Sequence, residues 1–202
     1  TSSITLIAPA LPPAGSAWPY SPPVPAVILS QAGYYTNDGG TAISSAVYVS
    51  STDGYVRALK KDGTLKWNYA TSPLSAIKTS PLPVVEGGGL FIYFAAENGD
   101  IYKIQDNNAG AGLVWKQALG VTVKSNITCS DIDCTGTQIY FGANDNKVYC
   151  RKKSDGTACA GWSFASAVTA PISGTIAIDD RTTINSGWIG LEDGKVVALH
   201  TA

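Results

Sequence analysis

The stretch Val47-Tyr48-Val49-Ser50-Ser51-Thr52-Asp53-Gly54-Tyr55-Val56-Arg57-Ala58-Leu59 decides the fold. Two short β-prone runs with alternating side chains flank an Asp-Gly pair, which reads as a hairpin with a type I′ turn. The same unit recurs downstream. Asn98-Gly99 lies between Ile92-Tyr93-Phe94 and Ile101-Tyr102-Lys103-Ile104, and Asp145-Asn146 between Ile139-Tyr140-Phe141 and Val148-Tyr149-Cys150. Asp193-Gly194 lies between Trp188-Ile189-Gly190 and Val196-Val197-Ala198-Leu199. The four turns are 45, 47 and 48 residues apart. A fixed period of that size marks a repeat architecture.

Working outward, a second turn follows each hairpin, clearest at Asp62-Gly63 and Asp155-Gly156, and a tryptophan stands beyond it. Trp67, Trp115 and Trp162 are 48 and 47 residues apart. Upstream of each hairpin is a further strand candidate: Val24 to Leu29, Thr79 to Val85, Ser125 to Cys129, and Ile172 to Ile178. Each repeat is thus a four-stranded antiparallel meander. One such sheet cannot bury both faces, whereas a ring of them stacks face against face. The fold expected is all-β, a four-bladed β-propeller forming a single domain over residues 1–202. Its repeats run over about 21–69, 70–117, 118–164 and 165–202. The fourth repeat lacks its outer strand, and Trp18 lies 49 residues before Trp67, in the missing tryptophan's phase. Residues 1–20 are therefore expected to supply a tail and the strand that closes the last blade.

Composition narrows the function classes. With 14 Lys and Arg against 15 Asp and Glu, no net field draws the chain to nucleic acid or anionic lipid. No apolar run is long enough to span a bilayer as a helix, and no signal segment opens the chain. Thr1 reads as a processed or truncated start. The four cysteines, Cys129, Cys134, Cys150 and Cys159, have no CxxC spacing, so disulfides are expected rather than zinc. Three pairings are possible. The turn between Cys150 and Cys159 favours joining those two across a hairpin, which leaves Cys129 with Cys134. Disulfides imply an oxidising compartment: extracellular, cell-surface or periplasmic.

The run from Val47 to Leu59, continued by Asp62-Gly63-Thr64-Leu65-Lys66-Trp67, resembles a quinoprotein-type (PQQ-like) propeller repeat, which pairs a strand, a small-residue turn and a Gly-x-x-x-Trp ending. The resemblance extends in part through the second and third repeats, and in the fourth over Gly187 to Leu199. It implies a propeller fold. Related propellers include quinone-dependent alcohol dehydrogenases, an outer-membrane assembly lipoprotein without catalysis, and domains of pilus-associated adhesins. The quinoproteins resemble an eight-bladed ring with a central cofactor and a disulfide between adjacent cysteines. This chain has half the blades and no adjacent cysteines, so the resemblance carries over the fold without the cofactor.

Few residues suggest chemistry. The single histidine, His200, has no acid or cysteine near it in sequence, and no Gly-x-Ser-x-Gly elbow exists. Asp131, Asp133 and Thr135 place two carboxylates and a hydroxyl at alternate positions before Gly136, as some calcium loops do. The twelfth position, where an EF-hand needs Glu, is Gly142, so a turn held by side-chain hydrogen bonds is the first reading and calcium the second. Asp179-Asp180 is a weaker case. Glu97, Glu192 and the two aspartates at 131 and 133 read as solvated turn acids before glycosidase carboxylates. Trp18, Trp67, Trp115 and Trp162 share the repeat phase and are expected to pack the blades. Trp188 stands at a tyrosine position and is likewise expected in the core. Tyr34, Tyr35, Asn37 and Asp38 fall in an insertion spanning Ser30 to Ser45 and form a candidate binding loop for sugars or protein. Asn126-Ile127-Thr128 matches a glycosylation acceptor within an expected inner strand.

The function expected is a non-catalytic structural or protein-interaction module, with a protein partner or self-assembly on the cell surface in an appendage or adhesin. A carbohydrate-binding propeller is the alternative, and a quinone-dependent oxidoreductase fragment the third reading.

Overall fold

The computed structural model describes residues 20–22, 26–37, 42–129, 134–160, 169–179 and 186–200. Among these residues the hairpin units build four antiparallel sheets, each a simple meander. The first contains β1 (Gly33–Tyr35), β2 (Ala46–Ser50), β3 (Tyr55–Leu59) and β4 (Leu65–Ala70). The second contains β5 (Leu82–Glu86), β6 (Gly89–Ala95), β7 (Asp100–Asp106) and β8 (Ala111–Ala118). The third joins β9 (Thr128–Cys129), β10 (Gln138–Gly142) and β11 (Val148–Lys152), with a bridge from Arg151 to Ala158 beyond them. The fourth joins β12 (Ala177–Asp179), β13 (Ser186–Gly190) and β14 (Val196–His200). Among the described residues there is no helix. Trp18, Trp162 and the expected closing strand lie outside them.

Two expectations about local structure change. The hairpin turns are not type I′, which needs positive φ at both central residues. Only the second residue of each pair is positive: Gly54 at 83°, Gly99 at 85°, Asn146 at 63° and Gly194 at 84°. The preceding residue acts through its side chain instead. Asp53, Asn98 and Asp193 each accept a hydrogen bond from the N–H two positions on, which closes an Asx turn, and the left-handed residue then returns the chain.

The strand candidates upstream of the hairpins are also shorter than expected. Their first residues form a lead-in loop, and in the first repeat residues 26–29 are not in a strand. The inner position there is taken by Gly33–Tyr35, from within the supposed insertion. Aligning the sheets explains this. Ile77, Val123 and Ile172 are buried at one loop position, and two residues after the first two a hydroxyl, Thr79 or Ser125, ties the loop to the sheet, where the fourth repeat has Gly174. Thr79 Oγ1 donates to the Ala95 carbonyl and accepts from its N–H, and Ser125 Oγ does the same at Gly142. Ser30 bonds Ser50 at the equivalent place. An apolar-x-hydroxyl pattern therefore belongs to this tether and not to a strand. Gly142 shows how close the approach is: a Cβ there would lie 2.2 Å from Ile172 Cγ2.

Among the described residues the core consists of three clusters, one between each successive pair of sheets. Tyr48, Val56, Trp67, Phe94 and Tyr102 fill the first, and Tyr93, Ile101, Trp115, Ile139 and Phe141 the second. Tyr140, Val148, Cys150, Ile172 and Ile189 fill the third. Each large side chain removed from water here contributes about 1.5–3 kcal/mol. The β3–β4 and β7–β8 pairs each carry a bulge beside the tryptophan pairing, Ala58 with Trp67 and Lys103 with Trp115.

The far face of the fourth sheet differs. Trp188 is 41% exposed where its equivalents Tyr48, Tyr93 and Tyr140 are buried, and Val196 is 71% exposed where Val56, Ile101 and Val148 are buried. The expected burial of Trp188 is thus overturned, because no cluster of the described residues joins the fourth sheet to the first.

Replacing Trp115 by Ala is expected to lower the unfolding free energy by about 3–5 kcal/mol, whereas Leu113→Ser, two residues away and exposed, changes it by no more than about 0.5 kcal/mol. Urea titrations of both variants check this, and similar losses would refute the burial pattern.

Candidate functional site

Buried charge lies in the seams between sheets. In the first seam the Tyr48 and Trp67 rings sit 5.8 Å apart, and Tyr48 Oη donates to Asp106 Oδ2 at 2.7 Å. Lys66 Nζ reaches the same carboxylate oxygen at 3.0 Å, so the buried acid has both a neutral donor and a cation. Burial, followed by the hydrogen bond to Asp106 and its charge, pushes the Tyr48 phenol well above its ordinary value.

The second seam repeats the aromatic pair with different charges. Tyr93 and Trp115 are 5.9 Å apart, and Tyr93 Oη donates to Glu86. Lys103 Nζ meets Glu86 Oε2 at 2.7 Å and lies 4.3 Å from the centre of the Phe91 ring, a cation–π position. The Lys153 carbonyl, from the third sheet, accepts from both Lys103 Nζ and Trp115 Nε1 at 2.9 Å. Lys153 Nζ in turn donates to the Cys134 carbonyl at 2.6 Å. Beside this network a cleft of about 580 Å³ opens between the second and third sheets, lined by Glu86, Gly87, Cys134, Thr135, Lys152 and Lys153 among others.

Chemically the network is a clamp. Buried Asp106 and half-buried Glu86 each hold a tyrosine hydroxyl and a lysine amine, an arrangement that locks side chains rather than leaving a base free for proton transfer. The hairpin ends of the sheets are built similarly. Burial pushes the Asp53 carboxyl up, but hydrogen bonds from Arg57 and Ser51 outweigh it and hold the group below the usual carboxylate range. Tyr149, raised by burial and by donating to Asp145, is pushed up to about 12.

The residues singled out from sequence are distributed as follows. Trp67 and Trp115 are buried in the first two seams, Trp115 with its N–H paired. Cys129 is bonded to Cys134, and Cys150 to Cys159. Thr135 lies on the rim of the cleft, while Asp131 and Asp133 lie outside the described residues. Among the described residues, no group of three or more His, Cys, Asp and Glu could hold a metal. Tyr34 and Tyr35 are strand residues in β1 and not a loop: Tyr35 packs on the first core cluster, while Tyr34 is 73% exposed. Asn37 N donates to Ser45 Oγ, and Asp38 lies outside the described residues. The Asn126 amide is engaged on both sides, accepting from Ser80 N and donating to Thr175 Oγ1.

The seam ions Lys66, Glu86, Lys103, Asp106 and Lys153 were not singled out from sequence. One signal pointed to Lys103: aligned repeats place small residues, Ala58, Cys150 and Ala198, at its inward-facing position.

No protein-family model matches the chain, and no curated protein matches it. Among solved structures it is similar to BamB from Moraxella catarrhalis, with 16% identity and a TM-score of 0.61 over 86% of this chain and 46% of BamB. It is similar to BBS1N, solved in complex with ARL6DN, with 16% identity and a TM-score of 0.61 over 89% of this chain and 53% of the other. The computationally designed Ika4 protein matches with 10% identity and a TM-score of 0.57 over 87% of this chain and 92% of Ika4. The chain thus spans about half the length of BamB and of BBS1N. At these identities the likeness shows the fold alone, and that fold is of the propeller type.

Lys103→Met, which leaves Glu86 without its cation, is expected to cost about 2–4 kcal/mol in a denaturant titration, with Glu86→Gln in the same chain restoring part of the loss. A second check uses pH. Because the folded-state pKa of Tyr149 lies above the unfolded value, its contribution is fully present below about pH 10 and is lost as pH rises towards 12. Stability of Tyr149→Phe measured across that range should fall less steeply than that of the parent chain.

Proposed function

We propose that the chain is a non-catalytic propeller module that docks protein partners through its outer strands, in an extracellular or cell-envelope setting such as a surface appendage. The observation that carries this is the apolar rim. Leu65 and Leu113 stand at the same position of β4 and β8, two residues before the tryptophan, and both are exposed, Leu113 at 53%; Val114 beside it is exposed as well. β4 and β8 are also edge strands of their sheets, so apolar side chains accompany unpaired backbone groups. Charged seams locked inside and apolar groups outside are what a rigid display scaffold requires.

The propeller-type neighbours support this. BBS1N was solved with ARL6DN bound, a pairing that belongs to that protein. Two disulfides and the likeness to BamB support the envelope setting. In the full proposal four blades complete the ring, with the segment around Trp18 closing the fourth. Exposed Tyr34 favours one second reading, a glycan-binding rim.

The test compares the parent chain with Leu65→Asp/Leu113→Asp, both immobilised and exposed to solubilised envelope proteins, alongside a glycan array run with and without chelator. The expected result is saturable protein capture, lost at least tenfold in the folded variant, with the array blank. Chelator-sensitive glycan binding unaffected by the rim substitutions would replace the proposal with the second reading.

A further inference from the structure

The two disulfides differ in what surrounds them. Cys150 and Cys159 are both buried, while in the other bond Cys129 is buried and Cys134 is half-exposed on the wall of the cleft. Cys134 also has a φ of 54°. The other described residues with positive φ that are not glycine are Asn108 and Asn146, and asparagine tolerates this region far better than cysteine. The bond to Cys129, five residues back, therefore holds the backbone of Cys134 where it would not rest unaided.

That backbone carries a contact into the second seam. The Cys134 carbonyl accepts from Lys153 Nζ, and the Lys153 carbonyl is the shared acceptor for Trp115 Nε1 and Lys103 Nζ. Lys103 continues to Glu86, and Glu86 to the Tyr93 hydroxyl. One disulfide is thereby linked, through Lys153, Lys103 and Glu86, to the aromatic pair that holds the second sheet against the third.

We infer that the Cys129–Cys134 disulfide is a redox latch on this seam. A dithiol reductant opens it while Cys150–Cys159 stays closed, and the second and third sheets then loosen along Lys153, Lys103 and Trp115. In the first step a reductant thiolate attacks Cys134 Sγ through the cleft, and Cys129 Sγ leaves as a thiolate. The second reductant thiol then displaces Cys134 Sγ from the mixed disulfide. The protein's S–S bond is broken, its cysteines gain two electrons and two protons, and the reductant ends as a disulfide. Freed of the bond, Cys134 leaves the left-handed region and takes its carbonyl from Lys153 Nζ. Losing that acceptor weakens the burial of the Lys153 ammonium, and its backbone moves with it.

The experiment treats the folded chain with dithiothreitol in native buffer, alkylates samples with iodoacetamide over time, and maps the labelled cysteines by mass spectrometry. Hydrogen exchange of the Trp115 indole N–H is followed in parallel by NMR. Cys129 and Cys134 are expected to be labelled at least tenfold sooner than Cys150 and Cys159, with Trp115 exchange rising about tenfold over the same interval and reverting on reoxidation. Lys153→Met should keep the early labelling but abolish the response of Trp115. Labelling of all four cysteines together, early labelling with no change at Trp115, or an undiminished Trp115 response in Lys153→Met would each overturn the latch.

Discussion

The burial of a tyrosine–tryptophan pair between adjacent sheets is the interaction on which the rest of this protein depends. Tyr48 with Trp67, and Tyr93 with Trp115, occupy the same place in consecutive seams at nearly the same ring separation. Each tyrosine hydroxyl sits too deep to reach water, so it must find an acceptor within the protein. An acidic side chain provides it in both cases, and each acid then requires a cation. The buried ion pairs follow from the aromatic packing. They are its polar completion.

The two completions are not alike. In the first seam the acid, Asp106, comes from the second sheet and its lysine from the first; in the second seam Glu86 and Lys103 both belong to the second sheet, and the third contributes a main-chain carbonyl. A first sheet placed against any sheet but the second would leave Asp106 buried without Lys66, which costs far more than a poor apolar fit. The seams thus distinguish sheets that otherwise share a backbone plan. They hold their own charges inside, while exposed ion pairs such as Lys78 with Glu97 and Lys195 with Asp193 share the surface with apolar groups, leucines on edge strands and a tyrosine on β1. That division of labour suits docking.

Aligning the repeats showed the hairpins, their period, and Trp67 and Trp115 at the residues where the structure has them, and the turn after Cys150 showed the cysteine pairing. Besides Tyr34 and Tyr35, which form part of β1 and not a loop, three features were read differently. The turns satisfy Asp and Asn side chains locally in place of the type I′ geometry, because an Asx bond is available whenever the N–H two residues on is free. The strand candidates beginning at Thr79 and Ser125 started too early, since the strands begin at Leu82 and Thr128 and the residues before them belong to lead-in loops. Trp188 had looked like core, since its phase matches three buried tyrosines; exposure of the face it occupies depends on what packs there, which phase does not record.

What the sequence by itself determined is everything that depends on near neighbours along the chain: where the strands turn, which side chains alternate inward, and which cysteines face each other across a hairpin. Alternation has a period of two and a turn spans four residues, so both are visible in any short window. The tertiary structure alone decided which lysine meets which acid. The partners in the first seam are 40 residues apart, Lys103 and the Lys153 carbonyl 50 apart, and the cleft beside them is bounded by two sheets. Such pairings arise only when one sheet is laid on the next, because the energy that selects them comes from shutting water out of a space no single repeat encloses.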